Sequence, residues 1–432
     1  MTAVLDRTKA PQNKPMEHFA IPVPERRILN NGTPLNILRV GSEDVIRFDI
    51  LVRGGQWQQE LPLQAMFTNR MLREGTASYT SQQIASKLDY YGAWLDLSSS
   101  VNYGFITLYS LVKYFPQTLE IVASMVKEPL FPEKELDVVR NVNRQQFLVN
   151  ADRVEVLARK ELNRSLFGTA HPLGKYAALQ DYDTITAAHL RNFYTTYYSS
   201  ANCTLYVSGK VTDDILRCVE QHFGQESWGS LSSIPEDRNY EAQTIADRHV
   251  FIERPDALQS SVKMGCFTLD RLHPDFLKFK VLVTLFGGYF GSRLMSNIRE
   301  DKGYTYGIAS GVVSYPGTGM LIVSTEAANE YVRPLIAEVY TEIDRLQQDL
   351  VPAEELEMVK NYMLGDLCRA YEGPLSVTEA WIFTQTAGLP DSFYDQSVQA
   401  IRTVTAEELR HLAQLYFDKE RLIEVVAGKK ML

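Results

Sequence analysis

The sequence predicts an α+β protein of two similar domains, each a largely antiparallel sheet packed with helices. A length of 432 residues allows two or three domains, and 45% apolar with 22% charged residues is typical of globular proteins. Residues 184–210 and 403–429 align without a gap at an offset of 219, which indicates a duplicated unit. Runs of strands followed by runs of helices, instead of strict alternation, favour the α+β class.

The repeat places the same predicted helix and strand at the end of each half. Its matched positions include Thr186 and Thr405, Ala187 and Ala406, Leu190 and Leu409, Arg191 and Arg410, Tyr197 and Tyr416, Val207 and Val426, Gly209 and Gly428, and Lys210 and Lys429. We therefore expect two duplicated domains of about 215 residues, an ordinary domain size.

Composition suggests where the domains begin and end. The segment 224–243 is rich in Gly, Ser and Pro, as inter-domain linkers are. Residues 25–223 are predicted to form the first domain and residues 244–432 the second. Residues 1–24 lack the apolar core of a signal peptide and are predicted to be a disordered lead.

The elements of the first half follow from hydrophobic pattern and composition. They are predicted strands at 35–40 and 45–55, helices at 62–74 and 81–91, alternating strands within 94–111, and a helical tract over 115–167.

The second half has the same order of elements. They are strands at 249–254 and 260–267, a helix at 274–286 ended by Gly287 and Gly288, a short amphipathic helix before a strand at 304–310, a strand at 319–325, and a mostly helical stretch at 329–371 that restarts with Pro352 in its first turn.

Charge and composition exclude several functional classes. A net charge of −9 without clusters of Lys and Arg argues against nucleic-acid or anionic-membrane partners. No run approaches 18 apolar residues, so we expect a cytoplasmic protein without a membrane span. The four cysteines are far apart, which fits reduced thiols better than a disulfide or zinc framework.

Common catalytic motifs are also missing. No two of the seven histidines are three to five residues apart, so a helix-borne zinc site of paired histidines is not available. The serine motif G-x-S-x-G is absent, and the glycines at 287–291 fit neither common phosphate-binding pattern. No metal site is therefore predicted in this chain.

The stretch 66–100 resembles the zinc-site region of the pitrilysin/insulinase-type metallopeptidases, the family that includes mitochondrial processing peptidase. In that family an inverted motif, H-x-x-E-H, is followed by Met and then by Gly-Thr. Met71, Gly75 and Thr76 match this frame. The resemblance extends over nearly the whole chain from about residue 25 and implies the family's duplicated α+β fold.

The resemblance also shows what this chain has lost. Met66, Asn69 and Arg70 stand where the family has its two histidines and its catalytic glutamate. The third ligand, a glutamate some 75 residues downstream, should fall within 138–154, where Asp152 is the only carboxylate. A thioether, an amide and a guanidinium cannot form a catalytic zinc site. The chain alone is therefore predicted to bind no zinc and to be inactive.

The stretch 287–308 resembles the family's second signature, a glycine-rich turn followed by an Arg and a Tyr seven residues apart. Arg299 and Tyr306 match those two positions. In the family, they reach across a closed chamber to the scissile carbonyl at the partner's zinc, where a guanidinium and a phenol can stabilise developing negative charge. The residues alone also allow a simpler interpretation, in which Arg299 caps helix carbonyls and Tyr306 packs in the core.

Gly287 and Gly288 have two interpretations as well. They can simply end a helix. A looser resemblance, to the glycine-rich loop of the non-catalytic subunit of mitochondrial processing peptidase, implies a part in substrate binding.

The resemblance implies the non-catalytic subunit of a heterodimeric zinc metallopeptidase. Its partner would be a catalytic subunit of the same family with an intact zinc motif, which would hold the zinc. Its substrates would be unfolded peptides or oligopeptides, bound as an added strand at a sheet edge. The alternative is a catalytically silent structural or peptide-binding protein, which could also be a homodimer.

Overall fold

The computed structural model describes Thr8 and residues 21–230, 234–315 and 317–431. Most of the predicted lead, residues 1–24, lies outside this part of the chain. The described residues form two sheets with helices packed on them, which confirms the predicted α+β class and the two similar units. None of the helices in this part of the chain is long and apolar enough to cross a membrane.

The first half contains a six-stranded sheet in the order β1-β2-β6-β3-β5-β4, in which only the β2–β6 pair is parallel. Its strands are β1 (Glu25–Ile28), β2 (Pro34–Arg39), β3 (Val45–Arg53), β4 (Trp94–Ser99), β5 (Tyr103–Leu111) and β6 (Cys203–Gly209). Its helices are α1 (Gln64–Met71), α2 (Ser81–Tyr90), α3 (Phe115–Lys127), α4 (Glu133–Ala151), α5 (Val154–Phe167), α6 (Asp181–Thr184), α7 (Ala187–Tyr197) and α8 (Asp213–Val219).

The second half repeats this topology in a five-stranded sheet, β7-β11-β8-β10-β9, in which only the β7–β11 pair is parallel. Its strands are β7 (His249–Glu253), β8 (Gln259–Thr268), β9 (Thr305–Tyr315), β10 (Thr318–Ala328) and β11 (Ile423–Gly428). Its helices are α9 (Phe276–Val283), α10 (Val332–Gln348), α11 (Ala353–Ala370), α12 (Pro374–Thr386), α13 (Phe393–Thr403) and α14 (Ala406–Tyr416).

The main differences from the predicted elements are breaks within the helical stretches. The tract predicted at 115–167 is three helices, because Pro129 and Pro132 interrupt it before α4 and residues 152–153 separate α4 from α5. Pro352 is the residue before α11 and not part of its first turn. The helix predicted to end at Gly287 and Gly288 continues through them as one π-helical turn, Thr284–Gly288.

Each half lends a helix to the other half's sheet. Helix α5 of the first half packs on β8 and β11, where Leu162 and Leu166 meet Val425 in a shared apolar cluster. Helix α12 of the second half packs on β6, where Trp381 meets Tyr206. This reciprocal packing buries the sheet face that the half's own helices leave uncovered.

The predicted linker 224–243 crosses between the two halves along this contact. The indole of Trp57 donates to the carbonyl of Arg238 at 3.0 Å and packs edge-on against Tyr240. Farther along, the Gln243 amide donates to the carbonyl of Phe167 at the end of α5. The described part of the linker is thus held by hydrogen bonds and ring contacts.

Candidate functional site

Asn69, which the resemblance predicts to occupy the position of the family's catalytic glutamate, is part of the core. Its side chain is 1% exposed and donates to the Tyr198 hydroxyl at 3.2 Å and to the Phe105 carbonyl at 3.4 Å. A β-carbon at Gly104 would lie 2.7 Å from that hydroxyl, so only glycine leaves room for the pair. Burial raises the pKa of Tyr198 well above its usual range, which keeps the phenol neutral.

Arg70, at one of the histidine positions, is exposed and contacts α4. Its guanidinium donates to the side-chain oxygen of Asn143. Asn143 lies within 138–154, where the third ligand was expected, and it follows Asn69 by 74 residues. The structure therefore identifies Asn143 as the residue that faces the altered motif. The spacing could have singled it out, but an amide in place of the glutamate gave no chemical signal.

The remaining motif position, Met66, is half-buried against the apolar core of the first half and lines a cavity of about 610 Å³. A thioether, a guanidinium and two amides do not form the charged or imidazole donor set that zinc requires. In the described residues, no three His, Cys, Asp or Glu side chains come together as a metal site. The residues present do not fit a zinc ion.

The second signature begins where α9 approaches β9. Gly287 is buried, and a β-carbon there would lie 2.7 Å from the Ser310 backbone nitrogen. Gly288 is exposed, and its β-carbon would meet Thr284 at an easier 3.2 Å. Gly287 is thus explained by the close approach of two elements. The part of the two glycines in substrate binding stays a prediction.

Arg299 belongs to a π-helical segment, Met295–Asp301, and its side chain is 32% exposed. The guanidinium carbon lies 4.4 Å from the centre of the Phe290 ring, and one nitrogen lies 3.5 Å from a Glu300 carboxylate oxygen. These contacts hold the cation at the surface, and no hydrogen bond to a helix carbonyl is seen within the described residues. The capping interpretation of Arg299 is therefore not supported.

Tyr306 follows after a turn in which Gly303 has a φ of 68°, a conformation that favours glycine. The tyrosine is 93% exposed, so its interpretation as a core aromatic is wrong. Tyr306 and Arg299 line the same open cavity of about 740 Å³, together with Phe290 and Tyr331. The structure thus brings the two predicted residues together on one surface.

Two family models match this chain. The model described as "Insulinase (Peptidase family M16)" matches residues 61–173, which contain the altered zinc motif. The model described as "Peptidase M16 inactive domain" matches residues 184–363, which contain Arg299 and Tyr306. The chain belongs to the M16 peptidase family. The stretch 66–100 therefore lies within the insulinase match, and the stretch 287–308 lies within the inactive-domain match.

Individual M16 relatives agree with this assignment. The chain is 23% identical over 365 residues to "Uncharacterized zinc protease YmxG" from Bacillus subtilis, covering 84% of this chain and 87% of the relative. It is 23% identical over 390 residues to "Non-peptidase homolog YmxG" from Helicobacter pylori, covering 86% of each. The solved structure of a peptidase M16 inactive domain from Pseudomonas fluorescens has a TM-score of 0.81 at 22% identity, covering 94% of this chain and 98% of that one.

Proposed function

We propose that this M16 chain is the non-catalytic subunit of a heterodimeric zinc metallopeptidase and that it contributes Arg299 and Tyr306 to the partner's active site. The observation that carries the proposal is the shared open cavity of these two side chains. The Tyr306 side chain is almost fully exposed, and its hydroxyl has no hydrogen-bond partner in the described part of the chain. A donor placed in this way is available to a ligand.

The geometry suits stabilisation of negative charge on a bound peptide. Arg299 is already oriented by Phe290, so less side-chain freedom would be lost when it binds an oxyanion. Together the guanidinium and the phenol offer two preorganised donors to a tetrahedral intermediate. The partner's zinc, held by an intact H-x-x-E-H motif, would supply the activated water and polarise the carbonyl.

The sheet beside the cavity supports an extended peptide as the substrate. Strand β9, which contains Tyr306, is the last strand of its sheet, so its outer edge has no neighbouring strand among the described residues. An unfolded peptide can add to such an edge through backbone hydrogen bonds that tolerate many sequences. An unfolded segment is free to take up the extended conformation that this edge requires.

The proposal is tested by peptide cleavage with the reconstituted pair. We expect Tyr306→Phe to lower turnover by 10²- to 10³-fold, about 3 to 4 kcal/mol, because it removes one oxyanion donor and keeps the ring. Arg299→Ala should lower turnover to a similar degree. The matched control is Tyr90→Phe, since Tyr90 is also strongly exposed, at 81%, but lies in the first half.

Size-exclusion chromatography must show that each variant still assembles. Wild-type turnover by an assembled Tyr306→Phe complex would refute the proposal. The chain would then be better described as a catalytically silent member of the family, in keeping with the relative named as a non-peptidase homolog. Failure to co-purify any partner with a zinc motif would point the same way.

A further inference from the structure

The strand that carries Tyr306 contains a β-bulge. Strands β9 and β10 pair regularly until Tyr306 and Gly307 of β9 lie opposite a single residue of β10, Glu326. Two residues opposite one bend a strand and re-aim its side chains. The equivalent pair in the first half, β4 and β5, keeps a continuous register from Trp94 to Ser99.

The bulge determines which way Tyr306 points. In a regular strand, side chains two residues apart share a face, so Tyr306 would share the face of Ile308, which is buried in the second core. The bulge places two outward residues, Tyr306 and Gly307, between two inward ones, Thr305 and Ile308. Tyr306 is exposed because of this extra residue.

Two buried threonine hydroxyls form hydrogen bonds with the backbone groups that the bulge removes from the pairing of β9 with β10. The Thr325 hydroxyl donates to the Gly307 carbonyl at 2.8 Å. The Thr305 hydroxyl donates to the Glu326 carbonyl at 2.6 Å and accepts the Gly307 amide at 3.1 Å. Each hydroxyl has one proton, so this assignment satisfies both groups of Gly307. Unpaired buried backbone groups would otherwise destabilise the bulge.

We propose that Thr325 is a positioning residue that holds the bulge and thereby presents Tyr306 to the substrate. This inference rests on the proposed function for its consequence in catalysis, whereas its structural part concerns this chain alone. Thr325 lies 19 residues beyond Tyr306 on the neighbouring strand, is buried, and does not line the Tyr306 cavity. Any effect on turnover must therefore pass through the bulge.

The structural part is tested on the isolated chain by nitration of exposed tyrosines, read by mass spectrometry. Thr325→Val keeps the shape of the side chain and removes its donor. We expect nitration of Tyr306, relative to that of Tyr90, to fall by up to about fivefold, since one net hydrogen bond shifts a conformational equilibrium by about that factor and this shift sets the upper limit on the loss of the exposed population. Thr325→Ser, which keeps the hydroxyl, should restore labelling. Thr318→Val, at the other end of β10, is the control.

The catalytic part is tested by a double-mutant cycle in the reconstituted pair. We expect Thr325→Val to lower kcat about 10-fold with little change in KM, and to cause no further loss when Tyr306 is already Phe. Unchanged labelling of Tyr306 in Thr325→Val, or losses that multiply fully in the double variant, would overturn the inference. Unchanged turnover in Tyr306→Phe, together with reduced labelling of Tyr306 in Thr325→Val, would refute the proposed function. The role of Thr325 in holding the bulge would then still stand.

Discussion

Asn69 in the first half and Tyr306 in the second mark the site regions of two units with the same topology, and their surroundings are opposite. Asn69 is buried and bonded to Tyr198, and its neighbour Arg70 is bonded to Asn143. Tyr306 is exposed, with a hydroxyl that has no partner among the described residues. The Asn69 amide nitrogen and the Arg70 guanidinium are bonded within the chain, and the buried Asn69 side-chain oxygen has no partner among the described residues, whereas the Tyr306 hydroxyl is open to solvent.

The two halves also differ in the charge of a buried residue where each sheet meets the other half's helix. Asp49 of β3 pairs with Tyr206, and Lys263 of β8 pairs with Val425. Tyr206 and Val425 are matched positions of the repeat, 219 residues apart, so Asp49 and Lys263 are equivalent positions in the two halves. Both side chains are buried. The two halves thus place opposite charges at the same internal position, and the partners of those charges differ.

The largest effect on stability is expected at Asp49. Its carboxylate accepts from Arg47 at 2.9 Å and from Thr107 at 2.7 Å, and Arg47 is buried as well. Asp49→Ala leaves the buried guanidinium with the largely exposed Glu379 as its remaining carboxylate partner, so the free energy of unfolding should fall by about 3 to 5 kcal/mol. Urea unfolding followed by tryptophan fluorescence measures the loss.

The matched variant is Lys263→Met. Burial lowers the pKa of Lys263, whose ammonium donates to the neutral Ser324 hydroxyl and has its carboxylate partner, Glu155, 3.9 Å away. Because this charge is weakly compensated, replacing it with an apolar side chain of similar length should cost less than about 1 kcal/mol. Equal losses for the two variants would show that the halves do not differ here.

The next largest loss of stability is expected when the glutamate of the zinc motif is restored. Asn69→Glu puts a carboxylate beside Tyr198 in the core, which should lower the free energy of unfolding by about 2 to 3 kcal/mol at pH 7. Burial would raise the pKa of the new carboxyl, so the loss is present above that pKa and shrinks as the pH falls and the group is protonated. Unfolding at pH 7 and pH 4.5, compared with wild type at each pH, tests the sign.

The full variant, with His at 66 and 70 and Glu at 69, should still cleave no peptide, because the range predicted to hold the third ligand, 138–154, contains no glutamate and faces Arg70 with the amide of Asn143. Elemental analysis of the wild-type chain should find no stoichiometric zinc. Robust turnover by the triple variant, or one tightly bound zinc in the wild type, would contradict the assignment of these positions.

The smallest expected change in stability is at Gly288, and it differs from that expected at the adjacent Gly287. Gly287→Ala should destabilise the chain by about 1 to 3 kcal/mol, since the new carbon would strike the backbone of Ser310. Gly288→Ala should change stability by less than about 0.5 kcal/mol, because only the Thr284 side chain has to adjust. Thermal unfolding compares them. If Gly288→Ala is stable but lowers peptide cleavage by the pair, the predicted role in substrate binding gains support at that position.

Much of this architecture could be predicted from the sequence. The repeat, the order of strands and helices, and the loss of the zinc motif depend on residue identity and spacing, which are local properties of the chain. The breaks around Pro129 and Pro132 and the reciprocal packing of α5 and α12 were not predicted. Periodicity shows that a helix has an apolar face, but it does not identify the surface against which that face packs.

The site shows the same division more sharply. The family resemblance identified Arg299 and Tyr306 as a pair and Met66, Asn69 and Arg70 as altered zinc-site positions, and the chemistry of these three side chains predicts that they do not bind zinc. The direction of Tyr306 was beyond the sequence, because the period of two predicts the face of Ile308 for it. Only the pairing of β9 with β10, and the hydroxyls that satisfy the bulge between them, turn that side chain toward solvent.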